Sequence, residues 1–286
     1  MPILLEPAAI VEFSGVDALT FGQAQFSTDT TLLAVGGWHW SAWLDPQGRV
    51  RHLFALLRPD SERLLAWLPR GSAADLAKAI SAYVFRSKLK VTVLPNMFLF
   101  DAEAPAPVPG AIENRGDGWS IGIPGSPPRS ALLAPAGAES AINEERRAAW
   151  HLADVDHDLP WISSEVQSEF TPQALGLDRL GAVSVGKGCY PGQEIVARLH
   201  FRGGNKRACY RVIIHDALVP PPGTRLLSGT EGTPQGTLLH AARADAQSSR
   251  ALAVLPIGLP VGSRMRLESA AMVEVVAKAT QVDQTP

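Results

Sequence analysis

Cysteine is scarce in this chain: its 286 residues include two, Cys189 and Cys209. Two cysteines cannot build a disulfide framework, and these two lack the paired spacing of a structural zinc site. An excess of one charge is also missing, because the formal net charge is -2. The sequence as a whole therefore attracts neither nucleic acid nor membrane, and any electrostatic partner must be bound by a local cluster of charges.

Long apolar runs and familiar catalytic loops are missing as well. No run reaches membrane-spanning length, and the beginning, MPILLEPAAIVEF, has no basic region followed by a long apolar core. The Gly-rich dinucleotide loop, the Gly-Lys-Thr/Ser phosphate loop and the Gly-x-Ser-x-Gly nucleophile motif do not occur. We therefore expect a cytoplasmic location and no membrane partner.

The N-terminal part mixes helix and strand patterns. Asp45–Gly48 places proline second and glycine fourth between two alternating apolar segments, which predicts a β-hairpin with a type I turn. The clearest helix lies within residues 71–87 and begins at a capping-box-like pair, Ser72 and Asp75. Its apolar stripe comprises Leu76, Ile80, Tyr83 and Val84. Such mixing predicts an α+β layer and not a doubly wound parallel sheet.

The C-terminal part follows a different pattern. After Cys209, short apolar runs are separated by Gly, Pro and Ser, which predicts a small antiparallel β-barrel or sandwich. Residues 102–138 are rich in Pro, Ala and Gly, and we interpret them as a divergent edge or linker. We predict two domains: an α+β body over residues 1–203, with a divergent stretch at 102–145, and a β-domain over residues 204–286.

Candidate functional side chains are most concentrated between Gly186 and Val212. Cys189 stands between glycines, which can present a side chain on a tight turn. Lys187 and a helix expected to start after Pro191 would both favour a thiolate, so a reactive or metal-ligating thiol is one interpretation. The other is a small buried residue in a turn, since free cysteine is among the most buried residue types. Spacing alone does not decide between them.

Two neighbours of Cys189 also allow two interpretations each. Tyr190 either stacks on a flat ligand or packs in the core. Glu194 either binds a pair of ligand N–H groups or caps the expected helix, and Gln193 precedes it at the helix start.

Basic residues continue the motif across the expected domain boundary. They could hold a carboxylate-rich tail, phosphates or RNA, or they could form a solvated face paired with acids elsewhere. The cluster consists of Arg198, Arg202, Lys206, Arg207 and Arg211.

A second cluster, in HLADVDHD, holds Asp154, Asp156 and Asp158 with His151 and His157. It matches neither a calcium loop nor a zinc helix, so we expect no stable metal site there.

The segment KGCYPGQEIVAR, followed by FRGGNKR, closely resembles the signature of the YgfZ family, the folate-binding-like proteins involved in iron–sulfur cluster maintenance. The preceding FTPQALGLDRLGAVSVGK is also similar, as are SGVDALTFGQAQFSTD, LDPQGRV and SAYVFRSKLKV nearer the N-terminus. Residues 102–145 and the C-terminal strands match loosely.

The resemblance implies a fold shared with the glycine-cleavage aminomethyltransferase: an α+β folate-binding body around a central pocket, followed by a small antiparallel β-barrel. It implies tetrahydrofolate or a related folate as cofactor. It also implies an accessory role, more than a conventional enzymatic one, in the assembly or repair of iron–sulfur enzymes, including radical enzymes that modify tRNA. Cys189 would be the essential thiol and a transient iron–sulfur ligand, with Lys187 lowering its pKa. The implied cofactor contacts are Tyr190, Gln193, Glu194, Arg198 and Arg202.

Four positions depart from what the resemblance implies. The aminomethyltransferase has an acidic pair, one member of which is catalytic, shortly after the glycine of its hairpin turn. Here Arg51 and His52 stand there, which argues against methylene transfer from an aminomethyl donor. Gly176 replaces a usual asparagine, with the possible loss of one polar contact, and Pro191 replaces a commoner threonine and stiffens the turn.

Two other functions stay open from the sequence. One is a tetrahydrofolate-dependent one-carbon transferase, against which the lost acids weigh. The other is a non-catalytic tRNA-binding scaffold that would use Arg202, Lys206 and Arg207 and would bind in a salt-sensitive manner.

Overall fold

The computed structural model describes residues 1–102, 107–137, 140–228 and 232–279. The chain divides into two compact units. The first comprises Met1–Leu44, Arg51–Arg147 and Gly181–Pro191, and the second comprises Asp45–Val50, Ala148–Leu180 and Gly192–Pro286. The domain boundary that the sequence predicts after residue 203 lies inside the second unit.

The first unit is built on two five-stranded sheets. The strands are β1 (Ile3–Pro7), β2 (Ala9–Ser14), β3 (Gly37–Leu44), β4 (Val50–Arg58), β5 (Arg63–Leu68), β6 (Lys90–Val93), β7 (Met97–Asp101), β8 (Ile112–Arg115), β9 (Gly118–Ile123) and β10 (Arg129–Pro135). One sheet has the order β3-β4-β5-β2-β6, and the other has the order β1-β7-β10-β9-β8.

Helix α1 (Ala18–Gln25) and helix α2 (Ala73–Ser81) pack their apolar residues into one core with the first of these sheets. Ser72 caps α2 as predicted, because its Oγ accepts a hydrogen bond from Asp75 N at 3.1 Å. Leu76 and Ile80 are fully buried. Tyr83 is 41% exposed, so its place in the stripe was predicted wrongly. Val84 packs against this core as predicted, although α2 ends at Ser81.

Of the two interpretations of residues 102–138, the described part fits an edge and not a linker. It contributes β8, β9 and β10 to the second sheet, with Ile121 and Leu133 buried. Two of the glycines that suggested a linker, Gly118 and Gly122, lie in β9. A Cβ on Gly118 would lie 2.4 Å from a backbone oxygen, and one on Gly122 would lie 2.3 Å from another. Glycine is needed there because two backbones approach closely.

Helix α3 (Glu144–Asp156) leads into the second unit, which also contains α4 (Pro172–Leu175) and α5 (Gln193–Arg202). The predicted hairpin turn is confirmed: Gly48 N donates to Asp45 O at 2.9 Å, and Gly48 has φ +73°.

The rest of the second unit is a closed six-stranded barrel in the order β11-β14-β13-β12-β15-β16, which confirms the predicted antiparallel β-barrel. Its strands are β11 (Arg207–Ile214), β12 (Arg225–Ser228), β13 (Thr233–Arg243), β14 (Ser249–Pro256), β15 (Arg264–Arg266) and β16 (Met272–Lys278). In β11, alternate residues from Ala208 to Ile214 enter the barrel core, as the period of a strand requires. None of the helices in the described ranges is long and apolar enough to cross a membrane.

Candidate functional site

The loop that leads to Cys189 is fixed to residues 26–28 within the first unit. Ser27 is fully buried; its Oγ donates to Ala182 O at 2.6 Å and accepts from Ala42 N at 2.9 Å. Ser184 N donates to Ser27 O at 2.8 Å. The bonds of Ser27 to Ala182 and Ser184 join segments more than 150 residues apart, and no local sequence pattern indicates this pairing.

Lys187 continues this anchoring as a buried cation. Its Nζ donates to Phe26 O at 2.6 Å and to Thr28 O at 2.9 Å. The same Nζ lies 5.0 Å from the centroid of the Tyr190 ring. Burial lowers the pKa of Lys187 to about 8, and the nearby Asp29 carboxylate opposes the shift. The contacts of Lys187 thus hold the loop in place; its predicted influence on the Cys189 thiol stays a prediction.

Tyr190 is a core residue, as the second of its two interpretations has it. The residue is 6% exposed, and its hydroxyl donates to Ser184 O at 3.0 Å. Burial raises its pKa to about 12, so the phenol stays neutral and available as a donor.

Cys189 is exposed, whereas Cys209 is buried. The interpretation as a small buried residue therefore fits Cys209 and is wrong for Cys189. Burial raises the pKa of Cys209 to about 12, which makes that thiol unreactive. Among the described residues, Cys189 is the cysteine that a solute can reach.

Of the glycines around Cys189, the two before it do not adopt the special backbone conformation that the sequence led us to expect. Neither Gly186 nor Gly188 has a positive φ, and a Cβ on either would meet nothing within 4 Å. The glycine that the backbone requires is Gly192, with φ +78°. A Cβ there would lie 2.6 Å from both Asp45 O and Gly48 Cα in the second unit.

Helix α5 begins directly after Gly192, which confirms the predicted helix start. Gln193 is half-buried. Glu194 is exposed in the first turn, where its negative charge interacts favourably with the helix dipole. Val196 is buried and Ile195 lies against Gly48, so this side fixes the helix. Arg198 and Arg202 are exposed on the same helix.

The predicted basic cluster divides into two groups. Arg211 lies with its Nε 3.1 Å from Asp158 Oδ1, and Arg207 donates to Gln235 O at 3.2 Å. For Arg211 the interpretation as a cation paired with an acid is therefore right. The other four cations of the cluster are exposed and have no ion pair among the described residues: Arg198, Arg202, Lys206 and Arg207.

The acids of HLADVDHD are engaged with donors inside the second unit. Arg250 Nη1 lies 2.6 and 2.8 Å from the two carboxylate oxygens of Asp156. The indole N–H of Trp161 donates to Asp154 Oδ2 at 3.1 Å. Within the described ranges, no group of three His, Cys, Asp or Glu side chains is placed to hold a metal ion.

The hairpin positions where an acidic pair was sought hold no acid. The guanidinium carbon of Arg51 lies 4.7 Å from the centroid of the Trp43 ring, and His52 is stacked on the same indole at 6.1 Å. Burial lowers the pKa of His52 to about 4, so this imidazole is neutral at physiological pH. The pair provides a cation and a neutral ring where a carboxylate would be needed.

Each unit has a cavity of its own. The cavity of the first unit, about 760 Å³, is lined by Asp17, Thr20, Phe21, Ala24, Gln25, Tyr83, Phe85, Arg86 and Ser87. The cavity of the second unit, about 350 Å³, is lined by Gln173 of α4, by Asp178, Arg179 and Asn205, and by the paired barrel strands β11 and β16, including Cys209 and Lys278. Neither is lined by the five residues predicted to contact a cofactor.

Comparison with known proteins gives the family. No protein-family model matches the sequence. A relative from Cronobacter sakazakii, named tRNA-modifying protein YgfZ, is 30% identical in an alignment that covers 94% of this chain and 89% of the relative. The chain belongs to the YgfZ family. Relatives of the same name from Photobacterium profundum and Sodalis glossinidius are 30% and 28% identical, and the matches cover 93% and 88% of this chain and 86% and 84% of theirs.

The fold of this YgfZ-family chain is that of the glycine-cleavage aminomethyltransferase, as the motif predicted. The aminomethyltransferase T of Bartonella henselae superposes with a TM-score of 0.73 at 14% identity, covering 99% of this chain and 87% of that one. At this identity the likeness concerns the fold alone.

Gly176, where the YgfZ pattern usually has asparagine, is the C-cap of α4 with φ +71°. Glycine and asparagine are the residues that adopt this left-handed conformation most readily. The departure therefore preserves the backbone of the cap.

Lys187 provides a pH-dependent prediction for this site. Its pKa falls from 10.5 to about 8 on folding, so between these values the unfolded chain holds a proton that the folded chain releases. Stability must rise with pH in this window. The full shift corresponds to roughly 3 kcal/mol in the free energy of unfolding. Because the two carbonyl acceptors favour the charged form and so oppose the shift, we expect this free energy to rise by a smaller amount, on the order of 2 kcal/mol.

Urea unfolding of wild type and Lys187→Met between pH 7 and 10.5 measures this gain. The difference between the two proteins removes the other titrating groups. The difference in unfolding free energy should be constant below pH 8 and should then shift in favour of wild type. A difference that stays constant above pH 8, or shifts in favour of Lys187→Met, would contradict the lowered pKa of Lys187.

Proposed function

We propose that this chain is a cytoplasmic accessory factor that binds tetrahydrofolate or a related folate and supports the assembly or repair of iron–sulfur enzymes. Radical enzymes that modify tRNA would be among its clients, in keeping with the name tRNA-modifying protein that its relatives carry. The observation that supports this most is the exposed thiol of Cys189 on a loop anchored by buried Lys187.

In this proposal Cys189 takes a cluster, or iron or sulfur from it, as cargo. Protein-held clusters ordinarily have about four thiolate ligands, and the motif offers one. The remaining ligands must come from a donor or client, which suits transfer better than storage. Because the anchored backbone fixes where the thiol stands, a partner can dock without first ordering the loop.

The cavity of the first unit has the composition that a folate requires. Phe21, Tyr83 and Phe85 offer rings to a flat pterin, and Arg86 offers a cation to the anionic tail. A volume of about 760 Å³ is within the usual range for small-molecule sites.

Two segments that resemble YgfZ blocks supply this lining. SGVDALTFGQAQFSTD contains Asp17 to Gln25, and SAYVFRSKLKV contains Tyr83 to Ser87. We therefore place the folate here, where it would supply one-carbon chemistry when bound. Of the contacts that the sequence predicted, Tyr190 would support the loop, Gln193 and Glu194 would orient the start of α5, and Arg198 and Arg202 stay free for an anionic partner.

The alternative, a tetrahydrofolate-dependent aminomethyl transferase, lacks its acid. Arg51 and His52 occupy the hairpin positions, and the neutral, buried His52 cannot provide a carboxylate. Release of ammonia or formaldehyde from an aminomethyl donor, dependent on tetrahydrofolate, would revive this function.

Anaerobic titrations of the purified protein test the two binding events separately. Wild type should bind tetrahydrofolate, and Arg86→Ala should weaken binding about fivefold, because one exposed charge-assisted contact is lost. Cys189→Ser should bind tetrahydrofolate as wild type does and should fail to accept an iron–sulfur cluster, followed by the visible absorption of the cluster.

The crossed design separates the outcomes. Equal tetrahydrofolate affinity of wild type and Arg86→Ala would contradict the proposal that folate binds in this cavity. Cluster uptake by Cys189→Ser at the wild-type level would remove the thiol from cluster chemistry.

A further inference from the structure

Helix α5 presents an unpaired basic face to solvent. Arg198 and Arg202 are four residues apart, so they lie on one face of the helix, about 6 Å apart along its axis. Both are exposed, as is Lys206 four residues further on, and none of the three has an ion pair among the described residues. Glu194 is the one acid between residues 193 and 207. Three unpaired cations with this spacing suit a chain of phosphates.

An exposed aromatic ring stands among these cations. Phe201 is 73% exposed and follows Arg198 by three residues, on the adjoining part of the helix surface. Between residues 143 and 217, all of which are described, it is the one large apolar side chain exposed to solvent. A single ring is too little apolar area for a hydrophobic protein interface, but it is the size of one stacking partner for a base.

The turn after the helix is open. Gly203 and Gly204 have φ +67° and +91°, and a Cβ on either would meet nothing within 4 Å. Side chains are therefore missing where a nucleic acid backbone would pass between Arg202 and Lys206.

We propose that this surface, defined by Arg198, Phe201, Arg202 and Lys206, binds a single-stranded segment of RNA. A base stacks on Phe201, and neighbouring phosphates contact the three cations. Bases that stack on protein aromatics must be unpaired, so the ligand is a loop or a strand end and not a duplex. This deepens the proposed function, in which tRNA-modifying enzymes are clients, by giving the chain its own RNA contact.

Fluorescence anisotropy with a labelled 12-nucleotide oligouridine and a duplex of the same length tests the surface. The single strand should bind more tightly than the duplex. Three phosphate contacts predict a slope of log affinity against log salt near -2, and Arg198→Gln with Arg202→Gln should reduce that slope by about 1.4. Arg243→Gln, which removes an exposed arginine of β13, serves as the matched control and should leave the slope unchanged.

Substitutions of Phe201 separate stacking from apolar contact. Phe201→Ala should weaken binding at least about fivefold, Phe201→Leu should weaken it as much, and Phe201→Trp should retain or improve it. Quenching of a 2-aminopurine base in the RNA reports stacking directly and should be lost in the Ala and Leu variants.

Three results would overturn the proposal: equal binding of duplex and single strand, an unchanged salt slope in the double arginine variant, or leucine performing as well as tryptophan. The last would indicate an apolar protein contact instead. Cys189→Ser should bind RNA as wild type does, so failure of the thiol function and failure of this surface give different results.

Discussion

Replacing Cys189 by alanine should reduce the rescue of iron–sulfur enzyme activity to the level of a deletion strain that carries an empty vector. The thiol is exposed, so its loss removes the group that accepts the cargo without opening a cavity in the core. Unfolding free energy should therefore stay within about 0.5 kcal/mol of wild type. Activity of an iron–sulfur enzyme in extracts, with the modified nucleosides of tRNA as a second readout, measures the effect.

Cys209→Ala is the matched control, since the chain has one other cysteine. That residue is 2% exposed, and removal of its sulfur should cost roughly 1 kcal/mol through lost packing. We expect this variant to be less stable and still to rescue the strain. Full rescue by Cys189→Ala at a matched protein level would refute the role of the thiol, while leaving folate binding untouched.

Features that depend on neighbouring residues were predictable from the sequence. The hairpin turn at Asp45–Gly48 and the cap of α2 at Ser72 each use residues within four positions, and their structures are as predicted. The barrel also followed from a local pattern, namely short apolar runs separated by Gly, Pro and Ser. The runs are strands, and β11 sends every second residue into the core.

Features that depend on distant residues were not predictable. Lys187 looked like a partner for the adjacent thiol, but its ammonium donates to the carbonyls of Phe26 and Thr28, about 160 residues away in the chain. Main-chain carbonyls have no signature in the sequence, so no pattern could have named these acceptors. The resemblance of the segment FGQAQFSTD to a YgfZ block was the one indirect signal.

Composition misled in two places for a shared reason. Residues 102–138, rich in Pro, Ala and Gly, were interpreted as an edge or linker, and the glycines around Cys189 were interpreted as forming a special turn. Whether a glycine is required depends on what surrounds it: backbone lies 2.4 Å from a Cβ on Gly118, while a Cβ on Gly188 would meet nothing within 4 Å. Sequence supplies the glycine but not its surroundings.

The two glycines that flank Cys189-Tyr190-Pro191 should therefore respond very differently to alanine. In Gly192→Ala the new Cβ would overlap Asp45 O and Gly48 Cα at 2.6 Å, and φ +78° is strained for any residue with a Cβ. Strain and overlap together should cost about 3 kcal/mol or more. Because Gly192 immediately precedes α5, relief of the overlap requires the start of that helix to move.

Gly188→Ala adds the same methyl group four residues earlier, into open space and at an ordinary φ. It should leave the unfolding free energy within about 0.5 kcal/mol of wild type and should retain rescue of the deletion strain. Urea unfolding of the two variants beside wild type measures the contrast. Equal stability of Gly192→Ala and wild type would mean that the start of α5 does not rest on the hairpin turn. A large loss in Gly188→Ala would mean that the loop around Cys189 is more closely packed than its open surroundings indicate.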